Sequence, residues 1–374
     1  MNKSMKILLI VLAVISVIAI VGTIILNHPC FGRRMSRERE TRIEESPNYR
    51  NGQFQNQVPT PQFTGDKSMV RALWEFLSES KKDRVPAEAV PAMKTDLKAL
   101  TSGPSTPSTG SGTEDSGTSG VGKDWLVWFG HSSYLFCLDG KRYLVDPVLK
   151  MEFPVSVMMH PFKGTDIYSP DDMPEVDVLI ITHEHWDHLD YATLRDLKDK
   201  VKHVVCPLGV AEYLEYWGYD PQNITEMDWY ETINYQLTTI SCLPTRHFSN
   251  RLFKRNQTLW ASFIVESGGR KVYIGGDGGY DGRFKEIHER FGSVDLALME
   301  NGQYNKDWAN IHLMPKDLEQ AILDLQPKQV FTVHHDKFSL APHAWTEPDS
   351  VAYDIAERNA IHLLDQPIGT VVEF

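Results

Sequence analysis

The sequence predicts an α/β protein in which two β-sheets are covered by helices and are preceded by one membrane-spanning helix. Three observations support this fold class: a long apolar run near the N-terminus, short apolar runs separated by glycine-containing turns after Asp124, and alternating strand and helix patterns from there onward. Strands that come first and are followed by mixed strands and helices favour packed sheets with helices outside. The 374 residues, 41% of them hydrophobic, suffice for the core of one large domain.

The apolar run Ile7–Leu26 is long enough, as a helix, to cross a hydrocarbon core of roughly 30 Å. We therefore interpret residues 1–30 as an N-terminal transmembrane anchor. A cleaved signal peptide is the alternative, but no small-x-small cleavage site follows the run. A lipoprotein signal is also disfavoured, because Pro29 precedes Cys30 where a small residue is needed.

The charges around the anchor favour a cytoplasmic catalytic domain. Two lysines precede the run and five arginines follow it: Lys3, Lys6, then Arg33, Arg34, Arg37, Arg39 and Arg42. Positive charge tends to stay on the cytoplasmic side of a membrane. The four cysteines are far apart in sequence, so we expect ordinary buried thiols, which agrees with a reducing compartment.

The net charge of −12 bears on the possible partners. It results from 38 Lys and Arg against 50 Asp and Glu. Proteins that bind nucleic acid as a structural partner carry basic surfaces, so we expect none here, although a nuclease stays possible. The oligomeric state is not predicted.

Between the anchor and the domain, residues 31–100 are polar and are predicted to form an extended arm packed on the catalytic body, with one amphipathic piece at Met69–Leu77. Residues 101–123 are almost entirely Ser, Gly, Thr and Pro, a composition that buries too little apolar surface to offset the entropy of ordering. We expect a flexible loop there. The catalytic domain is predicted to span residues 124–374.

Within that domain, period and composition predict strands and helices in alternation. Strands are predicted at Trp125–Phe129, Tyr134–Leu138, Tyr143–Val145, Val176–Thr182, His203–Cys206, Gln236–Leu243, Leu259–Glu266, Lys271–Gly275, Leu296–Glu300 and Gln329–His334. Helices are predicted at Tyr191–Lys198, Val210–Trp217, Gly282–Phe291 and Pro315–Leu325.

Four potential metal ligands follow the strand Val176–Thr182 within six residues: His183, His185, Asp187 and His188. A loop at a strand's end can aim all four into one cavity, with the first two facing one ion and the last two facing a second. A solvated polar loop rich in histidine is the bland alternative. Three more potential ligands, His247, Asp277 and His334, also stand at the ends of predicted strands. Taken alone, His247 fits a surface histidine and Asp277 a turn residue beside glycine.

This pattern resembles the metallo-β-lactamase superfamily, whose signature is His-x-His-x-Asp-His followed by a separate His, Asp and His. The resemblance runs from Trp125 to the C-terminus and implies an αβ/βα four-layer sandwich. It implies two zinc ions per chain, with iron or manganese left open. One ion would be held by His183, His185 and His247, the second by Asp187, His188 and His334, and Asp277 would bridge both.

Further segments are similar to the N-acylphosphatidylethanolamine phospholipase D branch of that superfamily. They are Trp128–Ser133, Asp146-Pro147, Gly276–Tyr280, Ile311–Pro315 and His247–Arg251. One departure concerns the last ligand: the branch usually has His-Trp-Gly before Phe, whereas this chain has His334-His335-Asp336-Lys337-Phe338. His334 keeps the spacing to Phe338 and is the preferred ligand, and His335 stays the alternative.

A two-metal site would lower the pKa of a shared water, creating a bridging hydroxide, and would stabilise charge on the attacking and leaving oxygens of a phosphodiester. Asp187, Asp277 and His312 are the residues expected to take part in catalysis. His131 and Asp146 could orient ligands by hydrogen bonding to them, with a plain turn as the alternative for Asp146.

The predicted substrate is a phospholipid of the N-acylphosphatidylethanolamine type or another phosphodiester, reached at the membrane. Arg246 could neutralise its phosphate, although arginines in loops are more often merely solvated. Tyr280 could line the pocket, although a core tyrosine is equally plausible. A lactonase or other carbonyl hydrolase of the same fold is one alternative function. A di-iron oxidoreductase is another, and metal analysis separates it from a zinc enzyme.

Overall fold

The computed structural model describes residues 3–64, 71, 74–75, 78, 83–100, 124–157, 159–251 and 254–374. Stretch 101–123, predicted as a flexible loop, lies outside the described residues, as does most of the amphipathic piece Met69–Leu77. The helices of the described part are α1 (Lys3–Leu26), α2 (Arg37–Glu44), α3 (Tyr191–Leu197), α4 (Ala211–Tyr216), α5 (Arg283–Phe291), α6 (Pro315–Leu325) and α7 (Glu347–Asn359).

The strands form two large sheets and one hairpin. In chain order they are β1 (Tyr49–Arg50), β2 (Gln53–Phe54), β3 (Trp125–Trp128), β4 (Tyr134–Leu138), β5 (Lys141–Val145), β6 (Val176–Ile180), β7 (Val201–Pro207), β8 (Ile224–Met227), β9 (Thr232–Tyr235), β10 (Thr238–Leu243), β11 (Ser262–Ser267), β12 (Arg270–Ile274), β13 (Leu296–Glu300), β14 (Val330–Val333), β15 (Leu363–Leu364) and β16 (Val371–Glu373).

Each large sheet has seven strands and combines an antiparallel part with a parallel part. The first sheet has the order β16-β3-β4-β5-β6-β7-β8, and the second has the order β15-β14-β13-β12-β11-β10-β9. Pairs from β5 to β8 and from β12 to β15 are parallel. Parallel strands place their carboxyl ends at one edge, so the loops after β6, β12, β13 and β14 can meet there.

The two sheets pack face to face, and helices cover their outer faces. Strand β13 shows the alternation: Leu296 and Leu298 belong to the core between the sheets, whereas Ala297 and Met299 pack under α5, α6 and α7. A second outer cluster joins the first sheet to α3 and α4. Each fully buried Leu contributes about 1.5–3 kcal/mol by leaving water. The predicted four-layer α/β fold is confirmed.

Helix α1 is the candidate membrane span. It has 24 residues, a mean hydropathy of 3.2 over its most apolar window, and no part of that window is buried. The region predicted as an extended arm is not extended at its start, because it contains α2 and the β1–β2 hairpin.

Two of the arginines that follow α1 bind the catalytic body. Arg39 lies 2.5 Å from Glu212, 2.5 Å from Glu215 and 2.8 Å from Glu226, and Arg33 lies 2.5 Å from Glu212. The membrane side on which the domain lies stays a prediction.

Candidate metal centre

The predicted ligands meet at one edge of the sandwich, between the two sheets. His183 follows β6, His247 follows β10, Asp277 follows β12 and His334 follows β14. All four are buried, with at most 2% of each residue exposed. The shared edge of the strands therefore brings together residues that lie up to about 150 positions apart in the sequence.

One group of potential ligands consists of His183, His185, His247 and Asp277, whose ligand atoms all lie within 4.8 Å of one another. The His185 Nδ1 atom is 2.9 Å from His183 Nε2 and 3.1 Å from His247 Nε2. Burial lowers the pKa of His185 to about 4 and lowers the pKa of His183 and His247 well below the ordinary value. Neutral imidazoles that converge on one point are the form in which histidine binds a metal.

A second group consists of His131, Asp187, His188 and His334, again within 4.8 Å. The Asp187 Oδ2 atom lies 2.9 Å from His131 Nε2, 3.6 Å from His334 Nε2 and 3.7 Å from His188 Nε2. Burial opposes ionisation of Asp187, but His188, His131 and His334 outweigh it and hold the pKa of Asp187 well below its usual value.

Asp277 lies between the two groups. Its Oδ2 atom is 2.9 Å from His334, 3.8 Å from His247 and 3.9 Å from His183, and its Oδ1 atom is 3.2 Å from His188. One carboxylate thus faces histidines of both groups, as a bridging ligand requires.

Several potential ligands are oriented by hydrogen bonds to neighbouring groups. The Nδ1 atom of His188 is 2.7 Å from Asp146 Oδ2, and Asp146 in turn accepts hydrogen bonds from the backbone and hydroxyl of Thr182. His247 Nδ1 donates to the Ile311 carbonyl at 2.9 Å. His131 contacts Asp187 directly, and burial lowers its pKa to about 3, so its neutral ring donates from Nε2. These contacts fix the ring orientations before a metal binds.

The donor set fits divalent cations. Among the described residues, three buried atoms of the cluster make no hydrogen bond: His188 Nε2, His334 Nε2 and Asp277 Oδ1. Atoms of this kind are free to bind a metal ion. Burial lowers the pKa of His188 and His334, yet Asp277 and the other nearby carboxylates outweigh it, raising the pKa of His334 to about 10 and that of His188 well above its usual value. Positive charge is therefore favourable beside these carboxylates. Bound metal ions would supply it in place of protons.

His312 lies at the edge of the cluster and is paired with a buried acid that the sequence reasoning missed. Its Nδ1 atom is hydrogen-bonded to Glu300 Oε1, and the other oxygen of Glu300 accepts from the Gly278 backbone at 2.7 Å. The His312 ring lies 5.2 Å from that of His247 and 5.5 Å from that of His334. Glu300 ends β13, so the rule that ligands end strands would have found it.

Arg251 contacts the loop 183–188, called the metal-binding loop below, and joins it to the end of the anchor. Its guanidinium donates to the Glu184 carbonyl and to the Cys30 carbonyl, each at 2.7 Å, and stacks on the Trp186 ring at 4.0 Å. Phe31 packs edge-on against the same Trp186 ring, with ring centres 5.2 Å apart. The sequence carried no sign of this contact, because its members are more than 150 residues apart.

Three predicted residues lie away from the cluster. His335 points the other way, toward Trp128 and Thr332, so the geometry favours His334 as the ligand. The expected roles of Arg246 and Tyr280 are not supported, because each side chain is engaged elsewhere. Arg246 is hydrogen-bonded to Thr60, Pro59, Tyr280 and Asn310, and the Tyr280 hydroxyl donates to Asp324 while its ring stacks on Phe284.

Comparisons with known proteins identify the family of this chain. A family model described as beta-lactamase superfamily domain matches residues 141–335. An uncharacterized protein of Mycobacterium tuberculosis is 35% identical over 314 residues, which are 82% of this chain and 78% of that protein. The mitochondrial N-acyl-phosphatidylethanolamine-hydrolyzing phospholipase D of Saccharomyces cerevisiae is 31% identical over 243 residues, 62% of this chain and 51% of that protein.

Among solved structures, CmlA, a diiron beta-hydroxylase from Streptomyces venezuelae, superposes with a TM-score of 0.53 at 17% identity, over 67% of this chain and 54% of CmlA. At this identity the likeness concerns the fold alone. The family match over half of the chain and the relative aligned over most of it carry the assignment: the chain belongs to the metallo-β-lactamase superfamily and is a metal-dependent hydrolase.

Proposed function

We propose that this protein is a dinuclear zinc phosphodiesterase of the phospholipase D type, acting on N-acylphosphatidylethanolamine-like lipids at the membrane to which it is anchored. The observation that carries the proposal is the contact between the end of the apolar helix α1 and the loop that holds four of the potential metal ligands. The relatives that carry the name of this activity support it at 31% and 32% identity.

The metal assignment follows the two groups. His183, His185 and His247 would hold one ion, Asp187, His188 and His334 the second, and Asp277 would bind both. All seven side chains are nitrogen or oxygen donors, and mixed His and carboxylate sites of this type suit zinc. When bound, two such ions activate a water and stabilise negative charge on phosphodiester oxygens.

The position of the anchor favours a substrate that comes from the bilayer. Helix α1 ends at Leu26, and the next residues are held on the domain: the Pro29 carbonyl accepts from the Trp217 indole at 2.9 Å, and the Cys30 carbonyl accepts from Arg251. Phe31 then contacts Trp186, which lies between two ligands. Only four residues separate the end of the helix from this contact, so the site is held close to the membrane surface.

Apolar side chains pack beside the cluster, and two of their neighbours in sequence are exposed. Val148, Val155, Met159 and Phe338 form one buried cluster, with Trp186 packed against it. The Phe338 ring lies 5.2 Å from that of His131. The neighbouring side chains Phe153 and Val157 are 55% and 64% exposed. An apolar surface at the site favours lipid over a soluble sugar phosphate.

The reaction is addition of water across the P–O bond to the headgroup, which yields phosphatidic acid and an N-acylethanolamine. In our proposal His312, held by Glu300 through Nδ1, presents Nε2 to the leaving oxygen and supplies its proton. Asp277 and Asp187 balance positive charge at the centre, while His131 holds Asp187 in place. Burial of these groups excludes bulk water and strengthens their electrostatic effect.

The test uses purified full-length protein with its metal content measured, on vesicles of N-acylphosphatidylethanolamine. We expect phosphatidic acid and N-acylethanolamine as products. A shortened chain beginning at Gly32 should lose about 100-fold or more of the rate on vesicles, but little of the rate on a soluble phosphodiester, because tethering acts through local concentration. His312→Gln should lose about 100-fold or more on both substrates, and His362→Gln, which changes an exposed histidine outside the cluster, is the matched control.

The same samples are offered a lactone and a β-lactam. If neither form of the protein cleaves phospholipid while either one hydrolyses a carbonyl substrate efficiently, the lipid proposal is wrong. Iron in place of zinc, with oxygen consumption, would support the oxidoreductase alternative instead.

A further inference from the structure

The turn after β14 carries an additional group of potential ligands on the side of His334 that faces away from the dinuclear centre. This chain has His335 and Asp336 where the phospholipase D branch has Trp and Gly. Neither side chain contacts the seven ligands assigned above, so the proposed phosphodiesterase does not explain them. They meet Asp349, which lies in the first turn of α7.

The three residues place their ligand atoms within 4.8 Å of one another. The His335 Nδ1 atom lies 3.2 Å from Asp336 Oδ1 and 3.5 Å from Asp349 Oδ1. The opposite ring nitrogen, Nε2, is 3.2 Å from the Thr332 hydroxyl, and the ring packs on Trp128. The imidazole is thus fixed with Nδ1 directed at two carboxylates.

Three polar atoms of this group are buried and make no hydrogen bond. Among the described residues, His335 Nδ1, Asp336 Oδ1 and Gln303 Oε1 have no hydrogen-bond partner, although His335 is 4% and Gln303 is 1% exposed. Gln303 is an independent element of this site, since its Nε2 atom donates to the His334 carbonyl while its oxygen stays unused. A buried polar atom without a partner costs about 1–3 kcal/mol, so a ligand that satisfies several of them would be stabilising.

The group is accessible from solvent. Gln303, His335 and Asp336 line a small pocket. The Asp349 side chain is 33% exposed, which leaves one open side for entry. The Asn301 amide donates to the Pro348 carbonyl at 2.9 Å. This hydrogen bond holds the start of α7 against the segment that follows β13.

We propose that His335, Asp336 and Asp349, with Gln303 as a fourth donor, bind a third divalent cation, Zn²⁺ or Mn²⁺, that braces the turn carrying His334. One imidazole nitrogen with two carboxylates and an amide oxygen is a mixed donor set that suits these ions, whereas Ca²⁺ takes oxygen ligands only. A protonated His335 that is ion-paired with the two acids is the simple alternative, and the ion counts below separate it from a metal site. The inference goes beyond the proposed function and does not depend on the lipid substrate.

The test counts ions in full-length protein equilibrated with Zn²⁺ or Mn²⁺, with Ca²⁺ as the negative control. We expect about three transition-metal ions per wild-type chain and about two in Asp349→Asn and in His335→Trp, which restores the branch residue. Asp354→Asn, which removes the same charge from an exposed position on α7, is the matched control and should keep all three.

The same difference of one ion is expected in an Asp277→Ala background, so that failure of the dinuclear assignment and failure of the third site are told apart. Added Mn²⁺ should also raise the melting temperature of the wild type more than that of Asp349→Asn. Equal ion counts and equal thermal shifts in the wild type and both variants would overturn the proposal, and His335 would then be an ion-paired imidazolium without a metal.

Discussion

The contact between the anchor and the metal-binding loop depends on Arg251, and we expect its replacement by alanine to destabilise the fold. Arg251 is 3% exposed and donates to two buried carbonyls, those of Cys30 and Glu184. Each carbonyl left without a donor costs about 1–3 kcal/mol, and loss of the stack on Trp186 adds about 1–2 kcal/mol. Because neighbouring terms overlap, we expect a loss of about 3–5 kcal/mol in the free energy of unfolding.

A double-mutant cycle separates the two carbonyls. The shortened chain beginning at Gly32 lacks Cys30, so Arg251→Ala should cost about 1–2 kcal/mol less there than in the full chain. Unfolding by urea, followed by circular dichroism in metal-free protein, measures both costs. Arg251→Lys keeps the charge but cannot bridge both carbonyls, and should recover only part of the loss. Equal costs in the two chains, or a cost below about 1 kcal/mol in the full chain, would refute the argument.

Three further predictions concern single residues. His334→Ala should remove activity far more severely than His335→Ala, and the reverse ranking in the vesicle assay would move the ligand by one residue. Asp146→Asn should weaken metal binding by about 10–100-fold in competition with a chelator, because the Asp146 carboxylate orients His188 through its Nδ1 atom. An unchanged affinity would contradict this role. Burial lowers the pKa of Lys337 to about 8, below its ordinary value of 10.5. The unfolded state therefore binds more protons between pH 8 and 10.5, and wild-type stability relative to Lys337→Met should rise across that window by up to about 3 kcal/mol in urea titrations; a flat difference would show that Lys337 keeps its ordinary pKa.

The sequence was sufficient for the fold class and for the position of the cluster because both depend on local patterns. Short apolar runs mark strands, and His183, His247, Asp277 and His334 each stand where such a run ends. Helix α7 was missed, because its buried side chains are few and include only Pro348, Ala352 and Ile355, so no apolar period marks it.

What the sequence could not predict depends on contacts between distant segments. Glu300 looks like the polar end of an ordinary strand until the structure pairs it with His312. Arg251 lies near a predicted ligand, but its partner Cys30 is 221 residues away, beyond any local pattern. Arg246 was expected near the substrate for its charge, yet the neighbouring arm supplies carbonyl and hydroxyl groups that bind it instead.

The central claim is that Asp277 joins two metal ions in one centre. Elemental analysis of the purified protein after Zn²⁺ loading and removal of loosely bound metal tests it most directly, with His335→Trp as the background so that the third site does not contribute. We expect about two tightly bound ions per chain and a clear loss of bound metal in Asp277→Ala, because that carboxylate faces histidines of both groups. Two ions held at full affinity without Asp277 would contradict the account.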